Sequence, residues 1–195
     1  MSSSRQIVLL LVMLGVPFTS GCALLVATGV AAGVGTGAAM SQDRRTAGIF
    51  VEDEGIEQKS DRRVSEKFGR KVHVNVTSFN RIVLLTGEIP SEGARSEVER
   101  LVMAVDNVRG VTNELAVGPS SSYKSRSNDA LITARVKGSF VDAGKFHANH
   151  VKVLTEDSVV YLLGLVTPQE ADDAVEIARS TNGVRKVVRV FEYLN

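Results

Sequence analysis

The chain predicts an α+β fold: two tandem α-β-β-α-β sandwiches, each a three-stranded sheet with two helices on one face. Three observations carry this reading. The chain beyond residue 54 repeats itself; within each copy the apolar spacing switches from alternate residues to helical intervals; and one copy has a complete helix-start signature.

The repeat is set by aligning Val74 with Val151, which lays VNVTSFNRIVLLTGEIPSEGARSEVERLV over VKVLTEDSVVYLLGLVTPQEADDAVEIAR. Val76 then meets Val153, Val83 meets Val160, Leu85 meets Leu162, Gly87 meets Gly164 and Ala94 meets Ala171. After one gap NVRGVTNELAV pairs with GVRKVVRVFEY. Upstream, VSEKF at Val64 to Phe68 is matched to VKGSF at Val136 to Phe140, which leaves about five extra residues in the second copy before its first strand.

Each copy opens with a helix, Ile56 to about Gly69 and Asp129 to about Phe140, with Asn128 as the N-cap of the latter. Alternating Val72, Val74 and Val76 describe a strand with one buried face. A tight connection, Ser78 to Asn80 or Glu156 to Ser158, leads into a continuous apolar strand, IVLLTG or VVYLLG, which the glycine ends. The second helix follows. Thr167-Pro168-Gln169-Glu170 supplies N-cap, N1 proline and N3 glutamate, and Ala171, Ala174, Val175 and Ala178 form the inward face. The first copy uses Ala94, Val98, Leu101, Val102 and Val105 in the same way. A last strand, Val111 to Val117 or Val187 to Tyr193, closes each unit. Units of about 65 to 70 residues are marginal alone, so the two are expected to support each other across an interface.

Ahead of the repeats, Met1 to Gly21 reads as a secretory signal, with Arg5 in the n-region and an apolar run from Ile7 to Val16 that is too short to span a bilayer. It ends at the chain's single cysteine. A lone cysteine closes no internal disulfide, and Thr19-Ser20-Gly21-Cys22 resembles the lipobox of bacterial lipoproteins, with Thr19 standing where leucine is usual. The resemblance implies acylation of Cys22, and several acyl chains give the durable anchor that one myristoyl chain does not. The alternative is an ordinary signal peptide that leaves a free thiol.

Residues Leu24 to Met40 are apolar and glycine-rich, with Gly29, Gly33 and Gly37 four apart. This segment reads as a flexible collar; a second membrane helix is the competing reading, weakened by its length and its glycines. The charged run SQDRRTAGIFVED, from Ser41 to Asp53, marks where solvent begins. The expected organisation is a signal peptide over 1–21, a lipidated, flexible N-terminus over 22–53, a first unit over 54–118, a linker over 119–126 and a second unit over 127–195.

The strand-turn-strand with its glycine, the helix behind it and the terminal V-x-G-V or G-V-x-x-V element resemble the BON domain, a module of bacterial periplasmic and outer-membrane proteins. Two such units behind a lipobox and a Gly/Ala collar resemble the dual-BON outer-membrane lipoproteins, and residues 43–57 and 127–137 resemble that family's lead-in to each helix. The resemblance implies an outer-membrane anchor facing the periplasm, binding of anionic phospholipid (phosphatidylglycerol or cardiolipin) by the second unit, maintenance of outer-membrane integrity, and neither catalysis nor a cofactor. Carried over residue by residue, the lipid-facing start of the second unit's first helix falls on Ala130, Leu131, Ile132, Thr133 and Arg135. Leu131 stands where the family has an aromatic residue, and the chain has no tryptophan, so an interfacial anchor is missing.

On a helical projection Ile132, Val136 and Phe140 share the core stripe, while Leu131 and Arg135 lie on its flank. Lys124, Arg126 and Lys137 add positive charge there, each contributing about 1 kcal/mol at most near an anionic surface. The bland reading is a solvated flank, for which one exposed leucine needs no explanation. A second functional reading is a periplasmic interaction scaffold for outer-membrane assembly proteins, and an osmotic-stress chaperone is a weaker third.

Twenty-three Lys and Arg against 22 Asp and Glu leave no field for a nucleic-acid partner. Of the histidines, His147 and His150 pair in a loop without an evident third ligand, and His73 alternates outward on a strand, so no metal site is expected. Asp172-Asp173 lies on a charged helix face, and no nucleophile elbow, P-loop or zinc signature is present.

Overall fold

A computed structural model describes residues 43–69, 72–119 and 123–194. The signal segment, Cys22 and the Gly/Ala run lie outside them. Helix α1 spans Ala47–Phe68, β1 His73–Phe79, β2 Ile82–Ile89, α2 Glu92–Met103, β3 Gly110–Asn113 and β4 Ala116–Val117. The second copy follows with α3 over Tyr123–Ala143, a 3-10 turn at Ala148–His150, β5 over Val151–Glu156, β6 over Val159–Val166, α4 over Pro168–Ser180 and β7 over Lys186–Tyr193.

Each copy is an α-β-β-α-β unit. Its first two strands pair antiparallel, and its last strand returns parallel beside the second, so β2 and β6 are central. In the first copy the last strand breaks between β3 and β4, where the Asn113 side chain accepts from the Leu115 amide.

The helices start earlier than the sequence suggests. Thr46 caps α1 by accepting from the Ile49 amide, which turns part of the charged run 41–53 into helix. In the second copy α3 begins at Tyr123, within the stretch whose composition reads as a linker, and Asn128 sits inside the helix rather than capping it. A cap residue contributes only about 1 kcal/mol, and extending the helix satisfies the same amides internally. The second copy's second helix starts as expected, with Thr167, Pro168 and Glu170 building the capping box of α4, and in the first copy Ser91 caps α2.

The helices cover one face of each sheet. Ile56, Val64, Val83, Leu85, Ile89, Val98 and Val102 fill the first core, and Ile132, Val136, Phe140, Val160, Leu162, Ala174 and Ala178 fill the second. A third cluster, of Phe79 and Leu84 from one sheet with Tyr161 and Leu163 from the other, joins the helix-free faces of the two sheets. This explains why the central strands read as continuous apolar runs. Their alternate residues face two different cores, and both strands have the burial pattern of a strand covered on both sides.

Gly87 and Gly164 do not end these strands, which run on to Ile89 and Val166. A Cβ on Gly87 would sit 2.1 Å from the His73 carbonyl oxygen, and one on Gly164 would sit 2.4 Å from that of His150. The glycines are there because the edge strand's backbone crosses too closely for any side chain.

Residues 43–45 strap the two units together. Arg44 forms a bidentate pair with Glu170 and donates to the Leu165 carbonyl at 2.8 Å, while Arg45 bonds Asp43 and Asp53 with its guanidinium 4.0 Å above the Phe79 ring. Across the interface Asn75 donates to Glu156, Asn80 and Arg109 donate to Glu192, and Lys152 donates to Glu57.

Candidate functional site

The first helix of the second copy positions the residues singled out by resemblance, and the structure divides them. Asp129, Ile132, Val136 and Phe140 form the buried stripe of α3. Ile132 is wholly buried, so it supports the helix from the core and has no surface to offer a ligand. Ala130 and Thr133 face a groove, and the Thr133 hydroxyl donates to Thr155 Oγ1 at 2.7 Å. Leu131 and Arg135 stand on the outer flank, with Leu131 55% exposed and Arg135 reaching the Asn182 carbonyl at 3.4 Å. Arg126 is exposed and lines the groove. Lys124 is helical but its side chain lies outside the described set, as does Cys22.

On that outer flank Leu131, Ala134, Gly138 and Val141 follow at intervals of three, four and three, and all are exposed. They form a narrow apolar stripe pointing away from the core, with Arg135 on one side and Lys137 on the other. Val141, 67% exposed, was not among the residues expected from sequence. The two copies' helices superimpose by role through Asp53 and Asp129, and at that register the same posts in α1 are Gly55, Gln58, Arg62 and Ser65. The apolar stripe therefore belongs to the second copy alone.

The groove beside α3 measures about 580 Å³ and lies between β1 and β5, the edge strands of their sheets, with Asp61 contributed from α1. Three carboxylates, Asp61, Asp129 and Glu156, line it against Arg126 and His73. Asp129 is committed to the β5–β6 turn, accepting from the Asp157 and Ser158 amides at 3.0 and 2.8 Å.

At the groove's end His73 Nδ1 lies 2.8 Å from Glu88 Oε2, and Glu156 approaches both from the second copy. Asn75 donates to Glu156 Oε2 at 2.7 Å, while Glu156 Oε1 is buried without a hydrogen-bond partner among the described residues. Burial pushes the Glu156 carboxyl above its ordinary range, opposed by His73 and reinforced by the Glu88 charge. His73 does point away from its own core, as its alternation predicts, but what lies there is the second copy and not solvent. Sequence reasoning missed this cluster because its members are far apart in the chain and no local spacing joins them. An acidic groove repels an anionic headgroup, so of the two features only the outer stripe suits an anionic surface.

Duplicated α-β-β-α-β units of this topology define the class, and the chain belongs to the BON domain family, whose model matches residues 52–119 and again 128–195. It is similar to the Outer membrane lipoprotein DolP of Haemophilus influenzae, 37% identical over 183 residues covering 91% of each chain, and is thus a dual-BON protein of the DolP type. It is also 32% identical to the 21 kDa hemolysin of Actinobacillus pleuropneumoniae, over 78% of this chain and 79% of that one. To the Osmotically-inducible protein Y of Escherichia coli it is 28% identical over 72% of each. Among the described residues no helix is long and apolar enough to cross a membrane.

Proposed function

We propose that this protein is an outer-membrane lipoprotein, anchored through Cys22 and facing the periplasm, that binds anionic phospholipid through its second BON domain and so helps to maintain outer-membrane integrity. The observation that carries this reading is the exposed stripe of Leu131, Ala134, Gly138 and Val141 between Arg135 and Lys137, a feature that the first domain's helix lacks. The name of the relative DolP supports the membrane address.

The energetics suit a tethered protein. Burying one large aliphatic side chain contributes about 2 kcal/mol, and each cation near an anionic surface about 1 kcal/mol. The sum corresponds to roughly millimolar affinity for a free domain. A chain already held at the bilayer samples an effective lipid concentration that makes such a contact sufficient.

The test uses the full-length acylated chain in vesicles of phosphatidylcholine, with or without phosphatidylglycerol or cardiolipin. An environment-sensitive fluorophore is placed by Leu131→Cys or, as reference, Gln58→Cys. The expected result is a shift to an apolar environment at residue 131 when anionic lipid is present, with none at residue 58. Identical emission from both sites in every vesicle would refute the reading.

A further inference from the structure

We infer that His73, Glu88 and Glu156 form a binding site for one divalent transition-metal ion of the zinc type, bridging the two BON domains. The three side chains offer one imidazole nitrogen and two carboxylate oxygens, all within 4.8 Å of one another. His73 and Glu88 come from the paired strands β1 and β2, at directly opposed positions of the ladder, whereas Glu156 comes from the end of β5 in the other domain. The site exists only when the domains are docked.

A second observation points to a ligand. Glu156 Oε1 is shielded from water and accepts no hydrogen bond among the described residues, although its twin Oε2 is held by Asn75. One oxygen fixed and the other left bare is the arrangement in which an outer partner orients a ligating carboxylate. Glu88 and Glu156 bring two carboxylates into one partly buried place beside His73. A dication would neutralise both.

The donor set selects the metal class. One imidazole with two carboxylates suits zinc, which takes nitrogen and oxygen at about 2.0 to 2.2 Å, while calcium and magnesium prefer all-oxygen shells. Tetrahedral ligands at such bond lengths lie about 3.3 Å apart, so His73 and Glu88 open slightly from their 2.8 Å contact as Glu156 closes. Coordination leaves a fourth position for water, and the ion's role is to clamp one domain on the other.

The experiment titrates the full-length chain in detergent with Zn²⁺ alone against a chromophoric chelator, and follows thermal unfolding in parallel. The expected result is one ion per chain, a raised unfolding midpoint, and no competition from excess Mg²⁺ or Ca²⁺. Glu156→Gln keeps the side chain's shape and Asn75 contact, and is expected to weaken binding at least about tenfold; His73→Ala is expected to weaken it further. A double variant, His147→Ala with His150→Ala, is expected to bind as the parent does. Absence of saturable binding by the parent, binding unchanged in Glu156→Gln and His73→Ala, or binding lost with His147 and His150 would each overturn the assignment.

Discussion

Asp53 and Asp129 hold the same post in the two domains: each is buried in its leading helix and accepts hydrogen bonds from both backbone amides of the hairpin turn opposite it. Asn80 and Arg81 donate to Asp53 at 2.8 and 2.7 Å, and Asp157 and Ser158 donate to Asp129 at 3.0 and 2.8 Å. All four turn residues have positive φ, between 47° and 66°, and none is glycine. The aspartate thus stabilises a left-handed two-residue turn that the turn residues alone disfavour. Asp129→Ala leaves two part-buried amides unpaired and is expected to cost about 3 kcal/mol in urea unfolding. Asp53→Ala is expected to cost more, because the Ser78 hydroxyl also loses its acceptor and the nearly buried Arg45 loses one of its two carboxylates. Equal, sub-kilocalorie losses would show that the turns hold themselves.

Gly87 and Gly164 give a sharper prediction. Alanine at either position drives Cβ into a backbone carbonyl, and Gly87 additionally has φ +110°. Each substitution is expected to destabilise its domain by about 3 kcal/mol or more, read as a lowered thermal midpoint. By contrast Gly138, whose surroundings are open, is expected to tolerate alanine with little change or a slight gain, since it lies inside a helix.

Glu170 links pH to the strap. The Arg44 guanidinium holds its carboxyl down from the ordinary 4.5 to about 2, with burial opposing and the Thr167 amide assisting. A depressed folded-state value means that the contribution is complete above the unfolded-state value and is lost as pH falls from about 4.5 toward 2. Unfolding midpoints measured down that window are expected to fall less steeply in Arg44→Ala than in the parent. Parallel profiles would show that the pair contributes nothing to folding.

The shared cluster of Phe79, Leu84, Tyr161 and Leu163 is expected to couple the domains in unfolding. Leu84→Ala removes wholly buried volume at that seam and is expected to cost about 2 to 5 kcal/mol. Calorimetry then distinguishes the outcomes: one transition in the parent, two in the variant. A single transition in both would mean that the seam is not what joins them.

Much of the architecture is legible locally. The inward face of α4, with Ala171, Ala174, Val175 and Ala178, is buried as its helical spacing predicts, and the capping box forms as written. Helical spacing is also where the reading slipped. Matching Val64 to Val136 aligns the leading helices one turn away from the pairing of Asp53 with Asp129, and at the latter the second copy has one extra residue before its strand instead of about five. An amphipathic stripe recurs about every 3.6 residues, so apolar pattern alone does not detect a slip of one turn. The aspartates do, because only one register brings a carboxylate to the hairpin amides.

By itself the sequence determined the duplication, the order of elements in each copy and the helix faces, because each depends on the pattern of neighbouring residues. Only the tertiary structure decided that the helix-free sheet faces share a core, that Arg44 and Arg45 strap the domains, and that His73, Glu88 and Glu156 converge. Those relationships join residues distant in the chain, and they arise only once burial of apolar surface has brought the two halves together.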